Sequence, residues 1–173
     1  MDYTIKEIEK KDLYDYMFVN TYSWDETYRG IMTDEFLDKI KNELKQNVER
    51  LENKFDRTKI DEPDYKRYLL YVNEEPVGIV AICNSREEKY PKSGELCSLY
   101  LLNKVKKKGY GRILFEKAKQ ELKNMGFNDM IIYCLKENPT TKFYEHLGGK
   151  LVYEKERNIG GKKLIENVYF YHI

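Results

Sequence analysis

The run Lys106-x-x-Gly109-x-Gly111, followed at once by Arg112, has the residue types and spacing to hold an anion. An apolar stretch ending at Asn103 precedes it, and Leu114, Ala118 and Leu122 follow at helical spacing, so the segment reads as strand, basic loop, helix. Glycines remove the Cβ atoms that would keep a ligand from the backbone. A helix start offers unpaired N–H groups and the positive end of its dipole. Lys104, Lys106, Lys107, Lys108 and Arg112 add positive charge at the same place, which makes phosphate or pyrophosphate the natural ligand. The stretch has neither the three glycines of a dinucleotide fingerprint nor the Gly-Lys-Ser/Thr of a P-loop.

A second stretch follows, Asn138-Pro-Thr-Thr-Lys-Phe-Tyr144-Glu-His-Leu-Gly148-Gly149. Together the two resemble the GCN5-related N-acetyltransferase (GNAT) superfamily, whose acetyl-CoA loop is Gln/Arg-x-x-Gly-x-Gly/Ala and whose next helix carries an Asn followed by Phe-Tyr-Glu-x-x-Gly. The resemblance runs from about Val77 to the C-terminus. Two departures stand out: Lys106 replaces the usual Gln or Arg, and Asn138 precedes Tyr144 by six residues where many members have seven.

The resemblance implies acetyl-CoA as cosubstrate, held by Lys106, Lys107, Lys108, Gly109, Tyr110, Gly111 and Arg112, with Asn138 and Tyr144 beside it. It also implies a bulge at Leu99, Tyr100 and Leu101, where the strand splays and its N–H groups can stabilise the oxygen that becomes negative during acyl transfer. Tyr144 takes the family's general-acid position. A phenol near pKa 10 is protonated at pH 7 and can donate to a departing thiolate. Glu95 lies fourteen residues before Gly109, the spacing of the general-base glutamate in the histone-acetylating branch. A base is useful because an amine of pKa about 10.4 is neutral in only about four molecules in ten thousand at pH 7, a cost of roughly 4.6 kcal/mol. Trp24 and Tyr28 sit in the region that commonly walls the acceptor pocket in that family; read as residues alone, they serve equally well as packing between the first two helices.

The elements that must position these groups follow from hydrophobic period. A first strand spans residues 3 to 8 and a helix runs from a cap at Asp12 to about Asn20. An irregular aromatic stretch covers 21 to 32, a helix runs from Thr33 to about Leu51, and a polar loop covers 52 to 66. A hairpin of residues 67 to 72 and 77 to 83 follows, then the strand from 94, a helix from Gly109 to about Met125 closed by Gly126, and a strand at 130 to 135. A short helix at 139 to 147 and two strands pairing across Gly160-Gly161 complete the chain. The order βααβββαβαββ makes an α/β chain with one mixed, mostly antiparallel sheet of about seven strands and helices on both faces, expected to be one N-acetyltransferase domain over residues 1 to 173.

Composition excludes several classes. Thirty-one basic against thirty acidic residues give a net charge of +1, which argues against a nucleic-acid partner. No run is long or apolar enough to span a membrane, and the N-terminus lacks a signal-peptide pattern, so a cytoplasmic protein is expected. The three cysteines, 83, 97 and 134, lie in apolar stretches and read as small buried thiols; a cysteine nucleophile would need a base nearby, with only His146 and His172 available, and is not expected, nor is a metal. The expected function is transfer of an acetyl group from acetyl-CoA to a primary amine of a small molecule or a protein by direct attack in a ternary complex. A non-catalytic acyl-CoA sensor is the alternative. The acceptor is not encoded in any motif, and oligomeric state is open, with a homodimer compatible.

Overall fold

One crossover organises the molecule. In the computed structural model, which describes residues 2–173, strand β4 (Gly94–Leu101) leads through helix α4 (Tyr110–Asn124) to strand β5 (Asp129–Leu135), which lies parallel to β4. Every other neighbouring pair is antiparallel: β1 (Tyr3–Glu7), β2 (Lys66–Val72) and β3 (Glu75–Asn84) extend the sheet on one side, and β7 (Lys162–His172) and β6 (Lys150–Ile159) on the other. The strand order is β1-β2-β3-β4-β5-β7-β6. The expected mixed seven-stranded sheet is therefore present.

Both two-residue hairpin turns use left-handed backbone, at Asn73 and Glu74 between β2 and β3, and at Gly160 and Gly161 between β6 and β7. One face of the sheet packs α4 and the short helix α5 (Thr141–His146) through Leu114, Ala118, Leu122 and Tyr144 against Val80, Ile82, Leu96, Met130 and Ile132. Gly94 permits the approach, because a Cβ there would come within 2.5 Å of Leu122 Cδ2.

The N-terminal helices depart from the sequence reading. Helix α1 (Leu13–Tyr28) continues through the aromatic stretch expected to be irregular, because Val19, Ser23 and Tyr28 all find buried positions on its inner side. The single helix expected from Thr33 to about Leu51 is two, α2 (Asp34–Asn42) and α3 (Leu44–Asp61), broken at Glu43. The Thr33 hydroxyl caps α2 by accepting from the Phe36 N–H. Helix α3 also consumes most of the expected loop at 52 to 66: Phe55 is buried and carries the stripe of Leu44, Val48 and Leu51 one turn further. The element order is thus βαααβββαβαββ. Helices α1 and α3 cover the second face through Leu13, Val19 and Val48 against Leu69 and Ile79.

Candidate active site

The parallel pairing of β4 with β5 lasts only three residues, Gly94 to Leu96 against Met130 to Ile132. Beyond Leu96 the two strands hold partners only on their outer sides, β3 and β7, so a wedge opens between them. Against β3 the ladder pairs Ala81 with Ser98 and Ile82 with Leu96. The extra residue is therefore Cys97, and the bulge lies there rather than at Leu99 to Leu101 as expected. One inserted residue bends the strand and increases its local twist, which turns β4 away from β5 at the point where pairing stops.

A cavity of about 460 Å³ fills this wedge, within the size range of small-molecule sites. Leu99, Tyr100 and Leu101 line one wall and Asn138 and Tyr144 another, with Lys106, Lys107, Gly109, Gly111 and Arg112 along the helix start and Tyr28 contributed by α1. The tertiary structure thus gathers most of the residues singled out in the sequence. Sequence reading missed Thr27, Cys97, Ser98, Tyr133, Cys134 and Phe143, which also line it. Tyr133 and Cys134 sit inside a continuous apolar run, where no periodicity marks a wall residue.

The basic loop is built for an anion. The backbone N–H groups of Lys107, Lys108, Gly109 and Gly111 have no acceptor among the described residues, and they cluster at the start of the 15-residue helix α4. Gly109 has φ +89°, and a Cβ there would meet nothing within 4 Å, so its glycine answers to backbone conformation and leaves open space. At Gly111 a Cβ would make only ordinary contact, 3.4 Å from Phe143. Only the space at Gly109 is open. Lys106 is half-buried, with Nζ donating to Thr27 Oγ1 at 3.3 Å, and burial pushes its ammonium pKa down. These donors fit the phosphates of a coenzyme A group. Two expected members of the set do not reach the cavity: Lys108 turns away and donates to the Lys104 carbonyl at 2.9 Å, and the Tyr110 ring is buried in the core, leaving only its backbone at the helix start.

Tyr144 is 6 % exposed and lines the cavity. Its hydroxyl forms no hydrogen bond among the described residues, whereas its carbonyl is fixed by the Tyr171 hydroxyl at 2.6 Å and the Gly149 N–H at 3.0 Å. Burial drives its pKa well above the ordinary value, so the phenol keeps its proton. Asn138 is a positioning residue: its Oδ1 accepts from the Thr140 N–H at 3.0 Å and hydroxyl at 2.6 Å, shaping the entry to α5, while Nδ2 donates to the Tyr28 hydroxyl at 3.2 Å. Tyr28 in turn shares a 3.1 Å hydroxyl contact with Tyr100. Burial pushes the Tyr28 phenol up to about 12. Trp24 does not line the cavity; it packs edge-on behind Tyr28 at 5.2 Å and beside Phe36 and Tyr100. It braces the wall, which corrects its expected contact with substrate.

Glu95 requires a larger correction. It is fully buried, lies outside the cavity lining, and spends both carboxylate oxygens on Arg86, accepting from the backbone N–H at 3.0 Å and from the guanidinium. With both oxygens held by Arg86 and the residue outside the lining, its carboxylate does not face an amine in the cavity. It anchors the loop at 85 to 93 to β4. Glu95→Ala is expected to cost about 1–3 kcal/mol of stability by leaving the Arg86 N–H unpaired, measured by urea unfolding. Its kcat should fall in the same proportion at neutral and alkaline pH; a loss confined to neutral pH would restore the base role.

Glu87 anchors the same loop to the cavity wall, its Oε2 accepting from Tyr133 at 2.7 Å and from Lys155 at 3.2 Å. Burial opposes its charge, but the Tyr153 and Tyr133 hydroxyls and the Lys155 ammonium outweigh burial and hold its pKa down at about 2. A carboxyl depressed in the folded state contributes its stabilisation in full above the unfolded value of about 4.3 and loses it as pH falls toward the folded one. Thermal unfolding followed from neutral pH to about pH 2 should show a decline that Glu87→Gln flattens.

Comparison with known proteins agrees with this geometry. A sequence model of the Acetyltransferase (GNAT) family matches residues 21–149. The chain is 27% identical over 165 residues to an uncharacterized N-acetyltransferase, YuaI, of Bacillus subtilis (strain 168), covering 94% of this chain and 89% of that one. Among solved structures, the PaiA N-acetyltransferase of Thermoplasma acidophilum, in complex with coenzyme A, superposes with a TM-score of 0.73 at 21% identity over the whole of both chains. The putative acetyltransferase YncA of Salmonella typhimurium, with acetyl-CoA, gives a TM-score of 0.67 at 15% identity over 98% of this chain and 93% of that one. With the family matched across most of the chain and the fold shared from end to end, the protein belongs to the Acetyltransferase (GNAT) family and is an acyltransferase whose cosubstrate is acetyl-CoA.

Proposed function

We propose that the protein transfers an acetyl group to a primary amine of a small molecule or a protein by direct attack, with donor and acceptor held together in the wedge between β4 and β5. The observation that carries this reading is the end of β4–β5 pairing at Leu96, which leaves a cavity bordered by the anion loop and by the hydroxyl of Tyr144. Acetyl-CoA supplies an activated thioester and a thiolate leaving group. The chain's part is to bind its phosphates at the Lys107 to Gly111 N–H groups, to offer the unpaired edge of β4 to its extended arm, and to donate the Tyr144 hydrogen bond to sulfur. The PaiA structure in complex with coenzyme A and the YncA structure with acetyl-CoA support a coenzyme A thioester as the donor.

Among the residues lining the cavity there is no carboxylate and no histidine. We assign removal of the acceptor's proton to solvent, so that turnover should rise with pH as neutral amine accumulates. The experiment is a free-thiol release assay with acetyl-CoA against a panel of amines that includes polyamines, aminoglycosides and peptide N-termini. Amine-dependent release that increases toward alkaline pH is the expected result. Coenzyme A binding with no release against any amine class would overturn the reading.

A further inference from the structure

The bulge that opens the wedge carries a thiol with a second thiol beside it. Cys97, the inserted residue of β4, lines the cavity, and its Sγ lies 2.9 Å from Sγ of Cys83 on β3, which is 7 % exposed. We infer that Cys83 and Cys97 form a reversible oxidation site, in which a small disulfide entering the cavity is exchanged for a Cys83–Cys97 cross-strand bond that shuts down acetyl transfer. The inhibitory half of this inference rests on the function proposed above; the chemistry of the pair does not.

Their environment favours this over metal binding. Glu95 completes a trio of ligand atoms within 4.8 Å of one another, but both of its oxygens are held by Arg86, so its charge is already matched by a guanidinium. The step balances without a metal. The Cys97 thiolate attacks one sulfur of the entering disulfide and expels a thiolate, which takes up a proton. Cys83, deprotonated in turn, attacks the Cys97 sulfur of the mixed disulfide and expels the second thiolate. Two protein thiols lose two electrons and two protons, and the reagent leaves as two thiols. The access differs in the required way, with Cys97 open to the cavity and Cys83 enclosed behind it. Cys83 at its side, together with burial, holds the Cys97 thiol well above its ordinary pKa, so exchange should be slow and call for excess reagent. The bond would draw the Cys97 sulfur toward β3 at the one residue that sets the splay of β4.

The test treats the reduced 173-residue chain with bis(2-hydroxyethyl) disulfide and removes the reagent. Thiols titrated under denaturing conditions should fall from three to one, and a non-reduced digest should join the peptides containing Cys83 and Cys97. Acetyl transfer should fall by about tenfold or more and return with dithiothreitol. Saturating acetyl-CoA, whose sulfur is acylated and cannot consume the reagent, should slow the oxidation by covering Cys97. Cys83→Ala should stop at a mixed disulfide on Cys97, visible by mass; Cys83→Ser replaces it if the alanine variant does not fold. Cys97→Ala should make whatever transfer it retains insensitive to the reagent. Three thiols surviving treatment, or a bond to Cys134, would overturn the site, and a Cys83–Cys97 bond that leaves transfer unchanged would overturn its inhibitory effect. If the reduced protein transfers nothing, thiol titration still decides the pair, and the failure belongs to the proposed function.

Discussion

Tyr144→Phe is expected to lower kcat by about ten- to a thousandfold, the scale of losing a positioned general acid, while acetyl-CoA affinity changes by no more than a few fold. The substitution removes one hydroxyl that makes no hydrogen bond among the described residues, on a side chain that lines the cavity. What holds the residue in place stays: its carbonyl contacts with Tyr171 and Gly149, and the Phe143 ring at 5.4 Å. Burial raises the phenol's pKa, which keeps the proton on the phenol at neutral pH but also weakens the acid, so stabilisation of the leaving sulfur by a hydrogen bond accounts for most of the effect. The comparison is a single-turnover measurement with an acceptor found in the amine panel, so that product release does not mask the chemical step. An unchanged rate would reduce Tyr144 to a packed tyrosine, with the sulfur protonated by water.

Gly109→Glu should abolish binding of coenzyme A. A ligand at a hundred times its dissociation constant stabilises the folded state by about 2.7 kcal/mol, which for a chain of this size raises Tm by roughly 5–10 °C. The glutamate places a negative charge beside the N–H groups of Lys107, Lys108, Gly109 and Gly111, where the phosphates are proposed to sit. Because φ is +89° there, any side chain also strains the backbone. Gly109→Ala separates the two effects, since its Cβ meets nothing within 4 Å: both variants should lose a similar amount of stability without ligand, but only the glutamate should lose the ligand-induced shift entirely. Retention of the full shift in Gly109→Glu would remove the cofactor loop from the site.

What was legible in the chain were features whose chemistry is local. The Lys106 to Arg112 loop announces itself because a helix start, two glycines and clustered cations act within a few residues of one another, and the mixed sheet of about seven strands follows from period-two strands, two-residue turns and one helical crossover. The same local logic erred where tertiary contact outvoted residue type: α1 runs on through aromatic residues because the core receives them, and α3 runs on through polar ones because Phe55 has a place to go. Glu95 had the right spacing for a base, but spacing along a strand does not say which partner meets the side chain, and Arg86, from a loop without regular pattern, reached it first. Trp24 and Tyr28 looked equivalent in the sequence, yet one turn of helix separates a residue on the cavity wall from one that braces it. The bulge was legible only once β4 lay against β3, because an inserted residue is defined by its neighbour's register and not by its own type. That register places Cys97 at the mouth of the wedge beside Cys83, a contact between residues fourteen apart that no local pattern encodes.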